Sequence, residues 1–201
     1  MNKFDLGILG GGQLGMFICQ AAKKLNLSTV VLSQSKNFSA KNFCDLYLIG
    51  DYNDDNILKN FLHSSDNFTI ETENIPKQVL RKIEKEKKLF PSSKIIEISQ
   101  NRLKEKKFLN SLKNIRTAKF KSLNNFSDLK KSLKIIGNKG ILKSCEFGYD
   151  GKGQYFVNES NLDDYKSLNF QNYILEEILD FKKEISVIVS RTKENYSYYP
   201  P

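Results

Sequence analysis

The run Phe147-Gly148-Tyr149-Asp150-Gly151-Lys152-Gly153-Gln154, shortly after Lys143, concentrates the residue types that can hold a polyphosphate. Its glycines let the backbone turn tightly and bring N–H groups close to an anion, while Lys143 and Lys152 add positive charge. The Walker pattern G-x-x-x-x-G-K-[ST] leads directly into a helix. Here Gln154-Tyr155-Phe156-Val157 follows, an apolar-rich strand candidate. A glycine loop between two strands is a flap, and a flap can close over a nucleotide. An ordinary hairpin turn uses the same glycines, so the residues around the loop must decide.

Two acidic segments bear on that decision. Glu176-Glu177-Ile178-Leu179 ends one predicted strand and Glu184 begins another. In a nucleotide site, the backbone of such a segment can read the edge of adenine while a carboxylate accepts the ribose hydroxyls; an exposed acidic turn is the alternative. Glu71-Thr72-Glu73-Asn74-Ile75-Pro76 lies at the C-terminal end of a predicted parallel strand, where open α/β sheets place ligands. Two residues apart along an extended strand, Glu71 and Glu73 point to the same side, suited to hydroxyls or an amine.

A second glycine motif, Gly10-Gly11-Gly12-Gln13-Leu14-Gly15, fits G-x-G-x-x-G between a strand and a helix. A dinucleotide domain needs an acid about twenty positions later, on the tip of the next strand. That tip is Leu32-Ser33-Gln34, which argues against NAD. The helix N-terminus is still an anion site, open to a substrate phosphate, or a turn that merely packs helix on strand.

The elements that must position these groups are legible from periodicity. Asp5–Leu9 reads as a buried strand, followed by Leu14, Phe17, Ile18, Ala21, Ala22 and Leu25 at helical spacing and then the β-branched run 29–32. Similar units continue through strand 46–49, helix 57–62, strand 68–70 and a helix from Pro76 to Lys87. They predict a parallel-sheet domain over residues 1–92, ended by Pro91-Ser92-Ser93. Residues 93–201 change pattern. One or two helices over 95–112 carry Arg102, and a helix over 126–136 has Asn125 and Asp128 as a capping pair. Strands are expected at Phe120, at 140–143 and at 173–176. Ile185, Val187 and Val189 share one face of a half-buried strand over 184–190, and 196–199 returns as its hairpin partner.

Composition sets the outer limits. The chain has 201 residues with 39% hydrophobic content, enough for real cores. No apolar stretch reaches the length of a membrane span, and the N-terminal one is interrupted by glycines; a cytoplasmic, soluble protein is expected. Three dispersed cysteines, Cys19, Cys44 and Cys145, suggest neither zinc nor a disulfide framework, and the lone His63 is expected to be structural or exposed rather than a metal ligand or catalytic base. The net charge of +9 comes from scattered lysines. Interleaved glutamates in Arg81–Lys88 favour a solvated helix face over nucleic-acid binding.

Taken together, Lys143, the 148–154 flap, the 176–179 segment and Glu184 resemble the ATP site of the ATP-grasp superfamily, and the Gly10–Gly15 turn resembles the preATP-grasp domain that precedes it. Within the superfamily, Gly11-Gly12-Gln13-Leu14-Gly15, Glu71-Thr72-Glu73-Asn74-Ile75-Pro76 and Gly148-Tyr149-Asp150-Gly151-Lys152-Gly153-Gln154 are similar to the hallmark strings of the carboxyaminoimidazole ribonucleotide synthetase family of purine biosynthesis. The formate-dependent glycinamide ribonucleotide transformylases share the glycine turn and a G-K-G-Q flap, but have serines where this chain has Tyr149-Asp150.

The resemblance implies an α/β preATP-grasp domain followed by the first part of an α+β ATP-grasp domain. It also implies an ATP-dependent ligase that joins bicarbonate to aminoimidazole ribonucleotide. Arg102 and Lys143 would bind ATP phosphates, Gly148, Tyr149, Asp150, Gly151, Lys152, Gly153 and Gln154 would cover them, Glu176, Glu177, Ile178 and Leu179 would contact adenine, and Glu184 would hold the ribose. Gln13, Glu73, Tyr149, Asp150 and Lys152 would meet the aminoimidazole ribonucleotide. Family members continue for well over a hundred residues more. That segment carries their magnesium ligands and the basic residues for bicarbonate, so no metal ligand is assigned here. The chain is therefore expected to be a truncated form of a commonly dimeric enzyme, with a catalytically silent nucleotide-binding fragment as the alternative.

Overall fold

The computed structural model describes residues 3–146 and 153–201. Its first half alternates β1 (Leu6–Leu9), α1 (Gln13–Lys24), β2 (Thr29–Ser33), β3 (Leu46–Ile49), α2 (Asp55–Ser64), β4 (Asn67–Ile70), α3 (Lys77–Glu86) and β5 (Lys88–Phe90). The strands form a parallel five-stranded sheet in the order β3-β2-β1-β4-β5. Every residue of β2 is buried, as a strand covered on both faces requires. Alternation divides the side chains. Ile8 and Val31 pack with Cys19 and Ala40 under α1, while Leu9, Val30 and Leu32 join Phe61, Phe68, Leu80 and Ile83 under α2 and α3.

Strand β5 was absent from the sequence expectation. It has three residues, of which only Leu89 is buried, too short a run for a period to show. The expected helical region over 95–112 is two helices, α4 (Ser93–Ser99) and α5 (Arg102–Ser111). The break falls where the Asn101 side chain accepts from the Lys104 N–H at 3.1 Å and starts the second helix. Ile96 of α4 still packs in the first core.

The second half holds β6 (Phe120–Ser122), α6 (Phe126–Ile136), β7 (Lys139–Ser144), β8 (Gln154–Asn158) and β9 (Tyr173–Glu176), with an antiparallel sheet in the order β6-β9-β7-β8. Helix α6 is capped as expected at its start: Asn125 Oδ1 accepts from the Asp128 N–H, and Asp128 accepts in turn from the Asn124 N–H. It ends on Gly137 in the left-handed region at φ 108°. Leu129 and Leu133 of α6 close one face of the sheet over Leu142, Val157 and Leu175.

The C-terminal expectation needs correction. Only β10 (Val189–Arg191) and β11 (Tyr196–Tyr198) form strands, paired with each other as a hairpin. Ile185, Val187 and Val189 are exposed rather than half-buried. Alternation specifies which side would face a core, but among the described residues no element packs there to supply one.

The basic run of α3 is largely neutralised in place: Arg81 pairs with Glu97, Lys82 with Asp55, and Lys87 with Asp66, which Lys3 also reaches at 2.7 Å. The two ammonium groups on Asp66 hold its carboxyl down to about 2, below the ordinary 3.8. A carboxylate depressed on folding contributes stability above its unfolded value and loses it as pH falls through the folded one. Asp66→Asn is therefore expected to lower the melting temperature at pH 6, with the difference from the parent shrinking as pH falls below the ordinary carboxylate value and disappearing only below about 2 in parallel thermal melts.

Candidate nucleotide site

The register of the second sheet builds the site. In the β7–β9 pair, Ile141 lies opposite Glu176 and Lys143 opposite Ile174. Leu142 and Leu175 face α6, so alternation sends Ile141, Lys143, Ile174 and Glu176 to the other face. Lys143 and Glu176 are diagonal neighbours, within reach of long side chains, and the Lys143 ammonium lies 3.0 Å from Glu176 Oε2. A one-residue slip of β7 would bury the lysine under α6 instead. β8 adds Gln154 beside Lys143, and β6 adds Phe120 beside Glu176.

Helix α5 lies over this face. The Arg102 N–H donates to the Cys145 carbonyl at 2.9 Å and its guanidinium donates to the Ser144 carbonyl at 2.6 Å, tying the start of the helix to the end of β7. One turn on, the Lys106 ammonium lies 3.3 Å from Glu176 Oε2 and 5.5 Å from the centre of the Phe120 ring. Glu176 is buried and Lys106 largely shielded in this second ion pair, with side chains 6% and 13% exposed. Burial raises the Glu105 carboxyl on the same helix, and Glu176 pushes the same way, while Arg102 and Lys106 pull it down. Two lysines thus converge on one carboxylate oxygen, and Arg102 flanks them. Such a cationic face in a low-dielectric setting attracts an anionic ligand strongly.

Among the expected nucleotide contacts, the structure brings together Arg102, Lys143, Gln154 and Glu176. Glu176 is buried, not the exposed acidic turn that the sequence left open. Glu177 turns away to accept from the Lys119 N–H at 2.7 Å, and its own N–H donates to the Lys119 carbonyl, which fixes the chain just after β9. Ile178, Leu179 and Glu184 lie in the exposed segment beyond, and among the described residues no hydrogen bond or ion pair joins Glu184 to Lys106 or Lys143. Gly153 takes φ 66° and its carbonyl accepts from the Ser144 N–H at 2.8 Å, so the two ends of the glycine loop are bonded to each other. Gly148, Tyr149, Asp150, Gly151 and Lys152 lie outside the described residues.

On the first domain, β4 ends at Ile70 and residues 71–76 bend, so the extended geometry expected for Glu71 and Glu73 does not hold. The two carboxylates separate. Glu71 enters the Gly10–Gly15 turn, where Oε2 accepts from the Gly12 N–H at 3.1 Å, and a Cβ on Gly10 or Gly12 would collide with it. Glu73 lines a cavity of about 260 Å³ with Asn74, Pro76, Lys77, Gln100 and Glu146. Lys77 and Glu146 form an ion pair of 3.0 Å there. Gln13 is exposed on the first turn of α1.

Comparison with known families agrees with this geometry. Residues 1–100 match the ribonucleotide synthetase preATP-grasp domain, and residues 108–201 match the ATP-grasp domain. The chain belongs to the ATP-grasp superfamily. This ATP-grasp chain is 34% identical over 194 residues to the N5-carboxyaminoimidazole ribonucleotide synthase of Brucella melitensis, covering 94% of this chain and 53% of that protein. It is 33% identical over 198 residues to the Staphylococcus epidermidis enzyme of the same name, covering 98% of this chain and 52% of the relative.

Among solved structures, N5-carboxyaminoimidazole synthetase of Staphylococcus aureus complexed with ADP superposes with a TM-score of 0.91 at 31% identity, covering 99% of this chain and 54% of that one. The Aspergillus clavatus synthase, in complex with ADP and 5-aminoimidazole ribonucleotide, superposes with a TM-score of 0.85 at 28% identity, covering 99% and 53%. The chain spans about half the length of the curated relatives it matches.

Sequence reasoning overlooked Lys106 in this ATP-grasp face. The signal was present: Lys106 follows Arg102 at i, i+4 and so shares its side of the helix. What pointed elsewhere was the density of lysines in α5, where Lys104 and Lys107 surround it without joining the cluster.

Proposed function

We propose that this chain supplies the nucleotide-binding part of a carboxyaminoimidazole ribonucleotide synthetase. In that reaction, the γ-phosphoryl group of ATP passes to bicarbonate, and the carboxyphosphate, or carbon dioxide released from it, is captured by the exocyclic amine of aminoimidazole ribonucleotide, leaving ADP and phosphate. The observation that carries the reading is the buried face on which Lys143 and Lys106 share Glu176 beside Arg102. A triphosphate is the natural ligand of such a face, since fixed cations in a dry cleft stabilise the charge that spreads over a transferring phosphoryl group.

On this reading Arg102 and Lys143 hold the phosphates, Glu176–Leu179 meet adenine, Glu184 takes the ribose, and Gly148–Gln154 close over the nucleotide. Gln13 and Glu73 approach the aminoimidazole ribonucleotide from the first domain, with Tyr149, Asp150 and Lys152 from the flap. Magnesium, if it accompanies ATP, would supply positive charge to the phosphates. Among the described residues no group of three or more His, Cys, Asp or Glu converges to hold it, so no step is derived through the metal. A cytoplasmic setting and pairing into homodimers belong to the same proposal. The names of the relatives favour the carboxyaminoimidazole reaction over formate-dependent transformylation.

Isothermal titration of the 201-residue chain with ATP tests the reading. Saturable one-site binding that weakens as salt rises is the expected result, with no bicarbonate-dependent hydrolysis from this chain by itself. Absence of ATP binding would overturn the nucleotide site; bicarbonate-dependent turnover would overturn the assignment of this chain as only the binding part.

A further inference from the structure

The two lysines on Glu176 have unequal freedom, and the difference assigns them different tasks. Lys143 comes from a strand that ends at the glycine loop, and its side chain is the more exposed of the two at 21%. Lys106 is held on two sides, by the Phe120 ring at 5.5 Å and by Glu176 Oε2 at 3.3 Å. Glu176 depends on them entirely among the described residues: Oε2 has only these two cations, and Oε1 is buried with no hydrogen-bond partner. The groups around the carboxylate are Lys143 from β7, Lys106 and Glu105 from α5, and Phe120 from β6, while Lys119 is engaged by Glu177.

An anionic ligand that draws Lys143 away takes one of these two cations. A carboxylate left buried without any cation is strongly unfavourable, so a site relying on Lys143 alone would set its ligand against its own Glu176.

We propose that Lys106 is a positioning residue of the nucleotide site, retained on Glu176 so that Lys143 is released to the polyphosphate. This rests on the reading of the face as an ATP site. Lys106 acts through Glu176 and touches no phosphate itself. In the ligand-free protein either lysine satisfies the carboxylate, and Lys106 is dispensable. In the ATP complex it is the remaining partner.

The test compares the parent chain with Lys106→Met, Lys106→Arg, Glu176→Gln and the Lys106→Met/Glu176→Gln double variant, by ATP titration and by thermal melts with and without ATP. Lys106→Met is expected to melt close to the parent without nucleotide, yet to bind ATP about tenfold more weakly and to lose most of the ATP-induced rise in melting temperature. Lys106→Arg restores binding. In the Glu176→Gln background, loss of Lys106 costs no further affinity, because no carboxylate remains to be orphaned.

Parent-like ATP affinity in Lys106→Met would overturn the proposal while leaving the ATP site intact. So would an equal loss of affinity from Lys106→Met in both backgrounds, or a lowered melting temperature without nucleotide that fully explains the weaker binding. A parent chain that does not bind ATP overturns the nucleotide reading and this inference with it.

Discussion

Replacing Lys106 and Lys143 together by methionine is expected to destabilise the second domain by about 3–5 kcal/mol, whereas either replacement by itself costs far less. The reason lies in the geometry on Glu176. Each lysine reaches the same oxygen, at 3.3 and 3.0 Å, so each can stand in for the other until both are gone. Glu176 then remains at the end of β9, 5% exposed, with neither cation. Small domains have a total stability of only about 5–15 kcal/mol, so the ATP-grasp half would approach unfolding. Urea titration followed by circular dichroism and tyrosine fluorescence measures it. Adding Glu176→Leu to the double variant should recover most of the loss, since an apolar group of similar size suits the buried face once the cations are absent. A double variant no less stable than the sum of the single ones would show that the lysines do not substitute for each other.

Phe61→Ala is expected to have a comparable effect on the other half, about 3–5 kcal/mol by the same titration. Phe61 is fully buried on α2 and meets Phe68 of β4 edge-on, with ring centres 5.0 Å apart and planes inclined at 63°. Phe68 in turn lies against Gly7 of β1, where any side chain would displace the ring. The aromatic pair therefore sets how β1 and β4 stand against α2, and these two strands lead into the glycine turn and Glu71. Loss of the ring should loosen that approach as well as the core. The companion Phe61→Leu keeps most of the volume and is expected to cost much less.

Most of the architecture could be read from the residues because it follows from periods. The alternation of strands and helices over 1–92, the Asn125/Asp128 cap and the strand carrying Lys143 each depend on neighbours close in sequence. The readings that failed depended on what lies across space. Ile185, Val187 and Val189 alternate as a half-buried strand should, yet burial needs a second surface that the alternation cannot supply. Glu71 and Glu73 looked like a matched pair only if the chain stayed extended past Ile70. β5 was too short to carry a pattern. Lys106 was hidden for a different reason: in a chain with 32 Lys and Arg, a functional ammonium is distinguished by its burial, which composition does not reveal.

The place of Glu71 also gives the first glycine-rich turn a different electrostatic setting from the Lys143 face. The first carries a tethered carboxylate at the Gly12 N–H, so its helix end already has a resident anion, attached through β4 and always at hand. A free phosphate arriving there meets like charge before it meets a donor. At the Lys143 face the balance is reversed, with two ammonium groups on a single carboxylate. The two faces thus differ in the sign of their local charge: a tethered carboxylate stands at the helix start of the first domain, and ammonium groups outnumber the carboxylate they share on the Lys143 face.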